Sequence, residues 1–240
     1  MAAEGVRRGE ATGARRRAGY ARRLLLPVLS ALAVAGLAIG FVVYALWPRW
    51  PEAAPAADAP HLPIVIAGET FQVPPAAVRR KVQRRPGPQE RVDLVFTWPA
   101  LAPPAPSDDN TAVTRPERLF VSIAARDGAA EPAERLRTIY LRYAAAEPSN
   151  APEGLTVTAF RDGTPYQGED LVYDESAPEH FVARCTRSAI PLAPASCLLE
   201  RFVGKVNVTV RFPREWLADW RAFASGLDRL IAELHPKRAG

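Results

Sequence analysis

The sequence predicts an α+β fold: a single N-terminal transmembrane helix, then a domain in which an antiparallel sheet of about six strands packs against a long C-terminal amphipathic helix. Three observations lead to this prediction. Residues 24–47 form an uncharged apolar stretch. Several later segments alternate apolar and polar residues, as half-buried strands do. Residues 213–235 repeat apolar side chains at spacings of three and four, as one face of a helix does.

The stretch at 24–47 is long enough to cross a bilayer. Its 24 residues carry no charge, and as a helix they extend about 36 Å, against about 30 Å for a bilayer core. Seven arginines precede it, whereas only Arg49 lies close behind it, which predicts a cytoplasmic N-terminus. The alternative is a cleaved signal peptide, whose apolar region is normally about 7–15 residues. The lipid bilayer is therefore the first predicted partner.

The charge distribution separates a tail from a domain. Residues 1–23 hold seven Arg and two Glu, while the rest of the chain holds 24 cationic and 24 acidic side chains, so the tail accounts for the formal net charge of +5. The basic character is evidence of topology, and no nucleic-acid partner is predicted. A Pro/Ala-rich linker at 48–63 leads to a domain at 64–240 that is long enough for its own core.

Frequent Ala, Arg and Pro are typical of GC-rich bacterial coding. The predicted location is therefore a bacterial inner membrane, with the N-terminus in the cytoplasm and the C-terminal domain in the periplasm.

Strands are predicted wherever apolar and polar residues alternate between turn signals. The first is 64–66, continued beyond Gly68 by Phe71 and Val73. The others are 89–98, 118–124, 155–160, 171–173, 181–186, 197–203 and 206–212.

Two segments have more than one interpretation. The basic run at 79–85 fits the solvated face of a short helix that starts after Pro74 and Pro75, or a contact with anionic headgroups or an acidic partner. Residues 131–143 fit a helix through Leu136, Ile139, Tyr140 and Tyr143, although alternation also allows a strand; the helix is favoured.

The C-terminal helix is predicted to begin at Pro213 and end near Leu234. Its apolar stripe is continuous and consists of Trp216, Trp220, Phe223, Leu227, Leu230 and Leu234. We expect both tryptophans in the core. A small barrel-like sheet closed by the same helix is the alternative architecture.

Cys185 and Cys197 are the only cysteines. Outside the cytoplasm, two lone cysteines usually pair. A metal site requires more ligands, and a dithiol redox site requires closer spacing. The sequence predicts a structural disulfide.

Four residues are candidates for an interaction loop: Tyr166, Glu169, Asp170 and His180. Carboxylates near a histidine can also bind a cation or transfer protons. Their spacing matches no metal loop or catalytic motif, so we predict no catalytic residue, no metal and no cofactor. Hydrolase, zinc-protease and nucleotide-binding patterns are absent from the sequence.

Gly36 and Gly40 form a GxxxG pair inside the apolar stretch, and small residues at this spacing let two helices approach closely. The predicted function is a non-catalytic periplasmic interaction or scaffolding domain, with an envelope protein or a second copy, paired through the membrane helix, as its partner. The alternatives are a ligand-binding sensory module that signals through the helix, and an enzyme that uses Asp170 and His180.

Overall fold

The computed structural model describes residues 27–45, 55–56, 58–105, 118–150, 152–187 and 194–236. The chain divides into two compact units, Met1–Ala53 and Ala54–Gly240. The predicted tail at 1–23 and the linker residues 48–54 lie outside the described residues.

The described part of the first unit is one helix, α1 (Pro27–Ala45), with a mean hydropathy of 2.3. Its 19 residues are long and apolar enough to cross a membrane, and an N-terminal signal sequence meets the same criteria. A Cβ atom added at Gly36 or Gly40 would have no atom within 4 Å.

The described part of the second unit contains eleven strands and three α-helical segments. The strands are β1 (Leu62–Ile66), β2 (Glu69–Val73), β3 (Gly87–Pro88), β4 (Arg91–Thr97), β5 (Arg118–Ala125), β6 (Ser149–Asn150), β7 (Thr156–Ala159), β8 (Glu169–Tyr173), β9 (Val182–Thr186), β10 (Ser196–Val203) and β11 (Val206–Pro213). The helices are α2 (Pro132–Arg135) and α3 (Leu141–Tyr143), which are joined by a π-helical turn at Leu136–Tyr140, and α4 (Trp220–Leu234), which follows a 3₁₀ helix at Arg214–Asp219.

Eight of these strands form one antiparallel sheet in the order β4-β5-β11-β10-β9-β8-β7-β6. The mixed α+β class is therefore confirmed, with more strands than the sequence predicts. The additional edge strand, β6, has only two residues and no alternating pattern. A smaller sheet, β2-β1-β3, is built on the β1–β2 hairpin.

The core lies between one face of the large sheet and α4. Alternation places the valines of β11 on this face, and Phe223, Leu227 and Leu230 of α4 are buried against it. The β1–β2 hairpin contributes Ile64, Ile66, Phe71 and Val73 to the same core. At the far end of α4, the His235 ring lies beside the Phe71 ring, and its Nε2 is 3.2 Å from Glu69 Oε2.

The sequence prediction for the C-terminal helix needs one correction. Pro213 is the last residue of β11, residues 214–219 form a 3₁₀ helix, and the α-helix begins at Trp220. The non-helical backbone of Asp219 (φ −128°, ψ 42°) separates the two helices. Trp216 and Trp220 are both buried in the core, as predicted.

The basic run at 79–85 is also different from its prediction. Two 3₁₀ turns, Pro75–Ala77 and Lys81–Gln83, replace the single short helix, because Val78 bridges to Leu94 and the backbone N–H of Arg79 donates to the carbonyl of Asp93. The segment at 132–143 is helical, in agreement with the favoured interpretation.

Cys185 and Cys197 form a disulfide with an S–S distance of 1.99 Å. The two residues are directly opposite each other on β9 and β10, and both are fully buried. The bond thus crosses the centre of the sheet on the face that packs toward α4.

We expect the Cys185→Ala, Cys197→Ala double variant to lose about 3 kcal/mol of unfolding free energy, because the disulfide restricts the unfolded chain. Urea unfolding of both proteins, with and without reductant, measures this difference. Reductant should destabilise the wild type and leave the variant unchanged. Labelling of either thiol in the unreduced folded protein would contradict the assignment.

Candidate binding surface

The second face of the large sheet is covered only at its two ends in the described part of the chain. At one end, the 75–85 segment packs beside β4. At the other end, the helical segment 132–143 closes a small apolar cluster that contains Leu136, Tyr140, Leu171 and Val182. The strands between these covers, β5, β11 and β10, present a strip of half-exposed or exposed side chains. We call this strip the open face, and it consists of Phe120, Ser122, Leu198, Thr209 and Arg211.

The strand register arranges the open face in two rows across the sheet. One row is polar and has a carboxylate at each end: Asp93 is opposite Ser122, Ser122 opposite Thr209, and Thr209 opposite Glu200. The adjacent row alternates apolar and cationic side chains and runs Phe120, Arg211, Leu198, Arg184. Neighbouring members of a row are about 4.8 Å apart, the spacing between strands.

Two cavities of about 360 and 350 Å³ lie at the β4 end of this surface. Both are lined by Arg79 and Phe120, and the Arg79 guanidinium lies 4.7 Å from the centre of the Phe120 ring. The second cavity extends over the open face to Leu198 and Arg211. The surface is therefore recessed.

Asp93 ends the polar row at β4, and its side chain is buried. Arg91 Nη2 lies 2.7 Å from Asp93 Oδ1, and Arg80 Nε lies 3.4 Å from Oδ2. Burial raises the pKa of Asp93. The hydrogen bond from Arg91, the positive charge of Arg91 and hydrogen bonds from Ser122 and Gln83 together lower it by more, so the pKa of Asp93 is below its ordinary value. The carboxylate is therefore ionised and compensated at neutral pH.

We expect Asp93→Asn to lower the free energy of unfolding by about 1–3 kcal/mol at pH 7. Because the folded-state pKa of Asp93 is below its unfolded value, the carboxylate stabilises the fold above the unfolded pKa, and this contribution is lost as pH falls through the folded pKa. Urea unfolding of both proteins from pH 7 downward should show the difference shrinking toward zero. Glu90→Gln, at an exposed neighbouring position, is the control. A difference that does not change with pH would contradict this role.

Glu200 ends the polar row at β10 and forms an ion pair with Arg135 of α2. The Asn207 side-chain amide also donates to Glu200 Oε1 at 2.7 Å. Two buried atoms of this cluster, Arg135 Nε and Asn207 Oδ1, make no hydrogen bond within the described structure. This cluster fixes the helical segment 132–143 to the sheet beside the open face.

Two of the four loop residues predicted from sequence lie at the edge of this surface. Glu169 Oε2 is 2.8 Å from Arg184 Nη1, and Arg184 lies 5.0 Å from the centre of the Tyr166 ring. Tyr166 also packs against Tyr140 and Phe160. Both residues therefore help to build the cover at this end of the sheet.

The other two, Asp170 and His180, do not join them. Asp170 is opposite Cys185 on the helix-facing side, where it is buried and paired with Arg214 and Arg187. His180 is exposed in the turn before β9, at the other end of the β8–β9 pair. Since adjacent residues of a strand point to opposite faces, Glu169 and Asp170 are also separated. The acidic cluster in the sequence is not one site in space.

Among the described residues, no group of three or more His, Cys, Asp or Glu side chains is arranged to hold a metal ion. What the open face offers instead is hydrogen-bonding hydroxyls, a guanidinium group and two apolar side chains in a shallow recess. Such a combination suits recognition of a protein segment.

Sequence reasoning did not identify the open face. The sequence signal for it was present in β5, β10 and β11. Along each of these strands, residues buried toward α4 alternate with half-exposed or exposed residues on the opposite face. Alternation shows that a face is not fully buried, but it does not show which strands become neighbours.

No protein-family model matches the sequence. No curated protein matches it either. The fold does resemble solved structures. One is Smlt3025, an immunity protein of the Stenotrophomonas maltophilia type IV secretion system, with 17% identity and a TM-score of 0.51 over 74% of this chain and 94% of the other.

A second solved structure is FrpD, an iron-regulated outer membrane lipoprotein of Neisseria meningitidis. It has 7% identity and a TM-score of 0.41 over 74% of this chain and 93% of the other. At 17% identity, the resemblance to the immunity protein shows a common fold.

Proposed function

We propose that this chain is a single-pass inner-membrane protein of bacteria whose 64–240 domain lies in the periplasm and binds another envelope protein without catalysing a reaction. The observation that carries the proposal is the open face. In the described structure, Phe120 and Leu198 are half-exposed on the sheet beside Arg211, and no described segment covers them. Aromatic residues and arginine are enriched in protein interfaces, and a recess is where interface anchors bind.

The comparison of folds supports the same class of function. The structure with the TM-score of 0.51 is that of an immunity protein of a secretion system, a role that a non-catalytic domain can fill. We take this as support for a protein partner.

The proposed topology rests on α1, on the arginines that precede it and on the disulfide, which is favoured by an oxidising compartment. A C-terminal reporter that is active only in the cytoplasm should be silent in cells that express the full chain. Reporter activity would contradict this orientation.

A second copy of the chain is the proposed partner of α1. Gly36 and Gly40 have open space around them, which is the geometry that lets two helices pack closely. The Gly36→Leu, Gly40→Leu double variant should show less crosslinking, by bonds other than disulfides, between two tagged copies of the chain in membranes. Unchanged crosslinking would show that these glycines do not mediate pairing.

Co-purification tests the binding function itself. The tagged full chain, solubilised from its native membrane, should retain its envelope partner as the wild type and lose it as Leu198→Glu. Arg229→Glu introduces the same residue at an exposed position of α4, on the other side of the sheet, and should retain the partner. If both variants retain it, the open face is not the binding surface. Equal thermal unfolding of the two variants excludes misfolding as the cause of a loss.

A further inference from the structure

We propose that the open face recognises an acidic segment of its partner protein, in which an Asp or Glu flanked by apolar residues binds Arg211 and Arg79. This inference rests on the proposed function and specifies the chemistry of the partner.

The described residues of this surface carry a local excess of positive charge. Among the described residues that line the two cavities, five are arginines and one is acidic; they are Arg79, Arg84, Arg91, Arg118, Arg211 and Asp93. Residues 24–240 as a whole carry equal numbers of cationic and acidic side chains. Among the described residues, positive charge is therefore in excess on this surface, and a segment of opposite charge would be attracted to it.

These arginines differ in whether their guanidinium groups already have structural partners. Arg84 donates from both Nε and Nη2 to the carbonyl of Val78, and Arg91 is paired with Asp93. These two arginines have structural partners. Arg79 is exposed and lies over the Phe120 ring, and the exposed Arg211 has a 3.3 Å contact with Ser196 Oγ. Arg79 and Arg211 are thus two exposed guanidinium groups on which a carboxylate can bind, since arginine can donate two parallel hydrogen bonds to a carboxylate.

The side chains follow a fixed order across the strands. Arg211 is directly opposite Phe120 on one side and Leu198 on the other. A carboxylate on Arg211 would therefore have an apolar position on each side, about 4.8 Å away. This arrangement favours an acidic residue between apolar ones over a uniformly charged polymer.

The recess favours a protein segment over a lipid surface. The cavities have volumes of about 360 and 350 Å³; Arg79 of the 75–85 segment lines both of them, and Pro104 and Ala105 line the first. A flat bilayer reaches cations that protrude, whereas a chain segment can enter a recess.

The test is a selection that does not require the natural partner. A displayed library of random 12-residue peptides is panned on the purified full chain in neutral-lipid nanodiscs, and the enriched peptides are measured by fluorescence anisotropy. We expect enriched sequences to carry Asp or Glu next to apolar residues. Their affinity should fall about tenfold or more for Arg211→Glu and for Arg79→Glu, and should remain within about twofold for Arg229→Glu, which changes the net charge equally.

Several results would overturn this inference. Enriched peptides without an acidic excess, or affinities that do not respond to Arg211→Glu, would remove the role of charge. Flotation with phosphatidylglycerol vesicles that is lost in Arg211→Glu, without acidic peptides being enriched, would assign the surface to anionic lipid. If Leu198→Glu loses the natural partner while charge reversal has no effect, only this inference fails. If all open-face variants retain the partner, the proposed function fails with it.

Discussion

Phe223→Ala should lower the free energy of unfolding by about 3–5 kcal/mol, the largest effect expected of a single substitution in α4. Phe223 is fully buried, and its ring is 4.2 Å from that of Phe212, at the end of β11. Its ring is also 5.7 Å from those of Trp98 and Trp216. Truncation removes the contacts of the residue that joins the helix to the sheet and leaves a cavity among rings that cannot easily collapse.

Urea unfolding followed by tryptophan fluorescence measures this loss, since two of the contacting residues are tryptophans. Arg229→Ala, at an exposed position of the same helix, is the matched control and should change the stability by less than about 0.5 kcal/mol. A decrease of less than about 1 kcal/mol in the unfolding free energy of Phe223→Ala would contradict the packing of α4 against the core.

Asp170→Asn should lower the free energy of unfolding by about 1.5–3 kcal/mol, because it removes the buried carboxylate that pairs with the partly exposed guanidinium groups of Arg214 and Arg187. Arg214 Nη2 is 2.5 Å from Asp170 Oδ2, and Arg187 Nε is 3.4 Å from Oδ1. Asp170 itself is only 6% exposed. The pair connects β8 with the 3₁₀ helix that precedes α4, so its loss should loosen the start of the C-terminal segment.

Glu175→Gln makes the same acid-to-amide change at an exposed position nearby and should be close to neutral. Adding Arg214→Met to Asp170→Asn should recover part of the loss, because it removes the uncompensated charge. An Asp170→Asn protein as stable as the wild type would refute the structural role and would return this carboxylate to consideration as a functional group.

The elements that sequence predicted well depend on local patterns. The apolar stripe of α4 recurs within a few residues, and the strands β4, β5, β10 and β11 alternate within themselves. The 3₁₀ start of the C-terminal segment was missed because 3₁₀ and α turns share nearly the same apolar spacing over one or two turns.

The sites that sequence missed depend on distant pairings. Glu200 is paired with Arg135, 65 residues away, and Asp170 with Arg214, 44 residues away. Conversely, Glu169 and Asp170 are adjacent in sequence but face opposite sides of the sheet. Proximity along the chain therefore suggested one acidic site, but the fold separates its residues. The open face, in contrast, combines the consecutive strands β10 and β11 with β5, which is distant from them in sequence.

Photocrosslinking in intact cells tests the central claim most directly. A p-benzoylphenylalanine residue in place of Leu198, in the full-length chain, should give a discrete adduct with an envelope protein upon irradiation. The same residue in place of Arg229, on the other side of the sheet, should give none. Adducts from position 229 but not from 198, or identical adducts from both, would contradict the claim that this protein binds its partner through the open face.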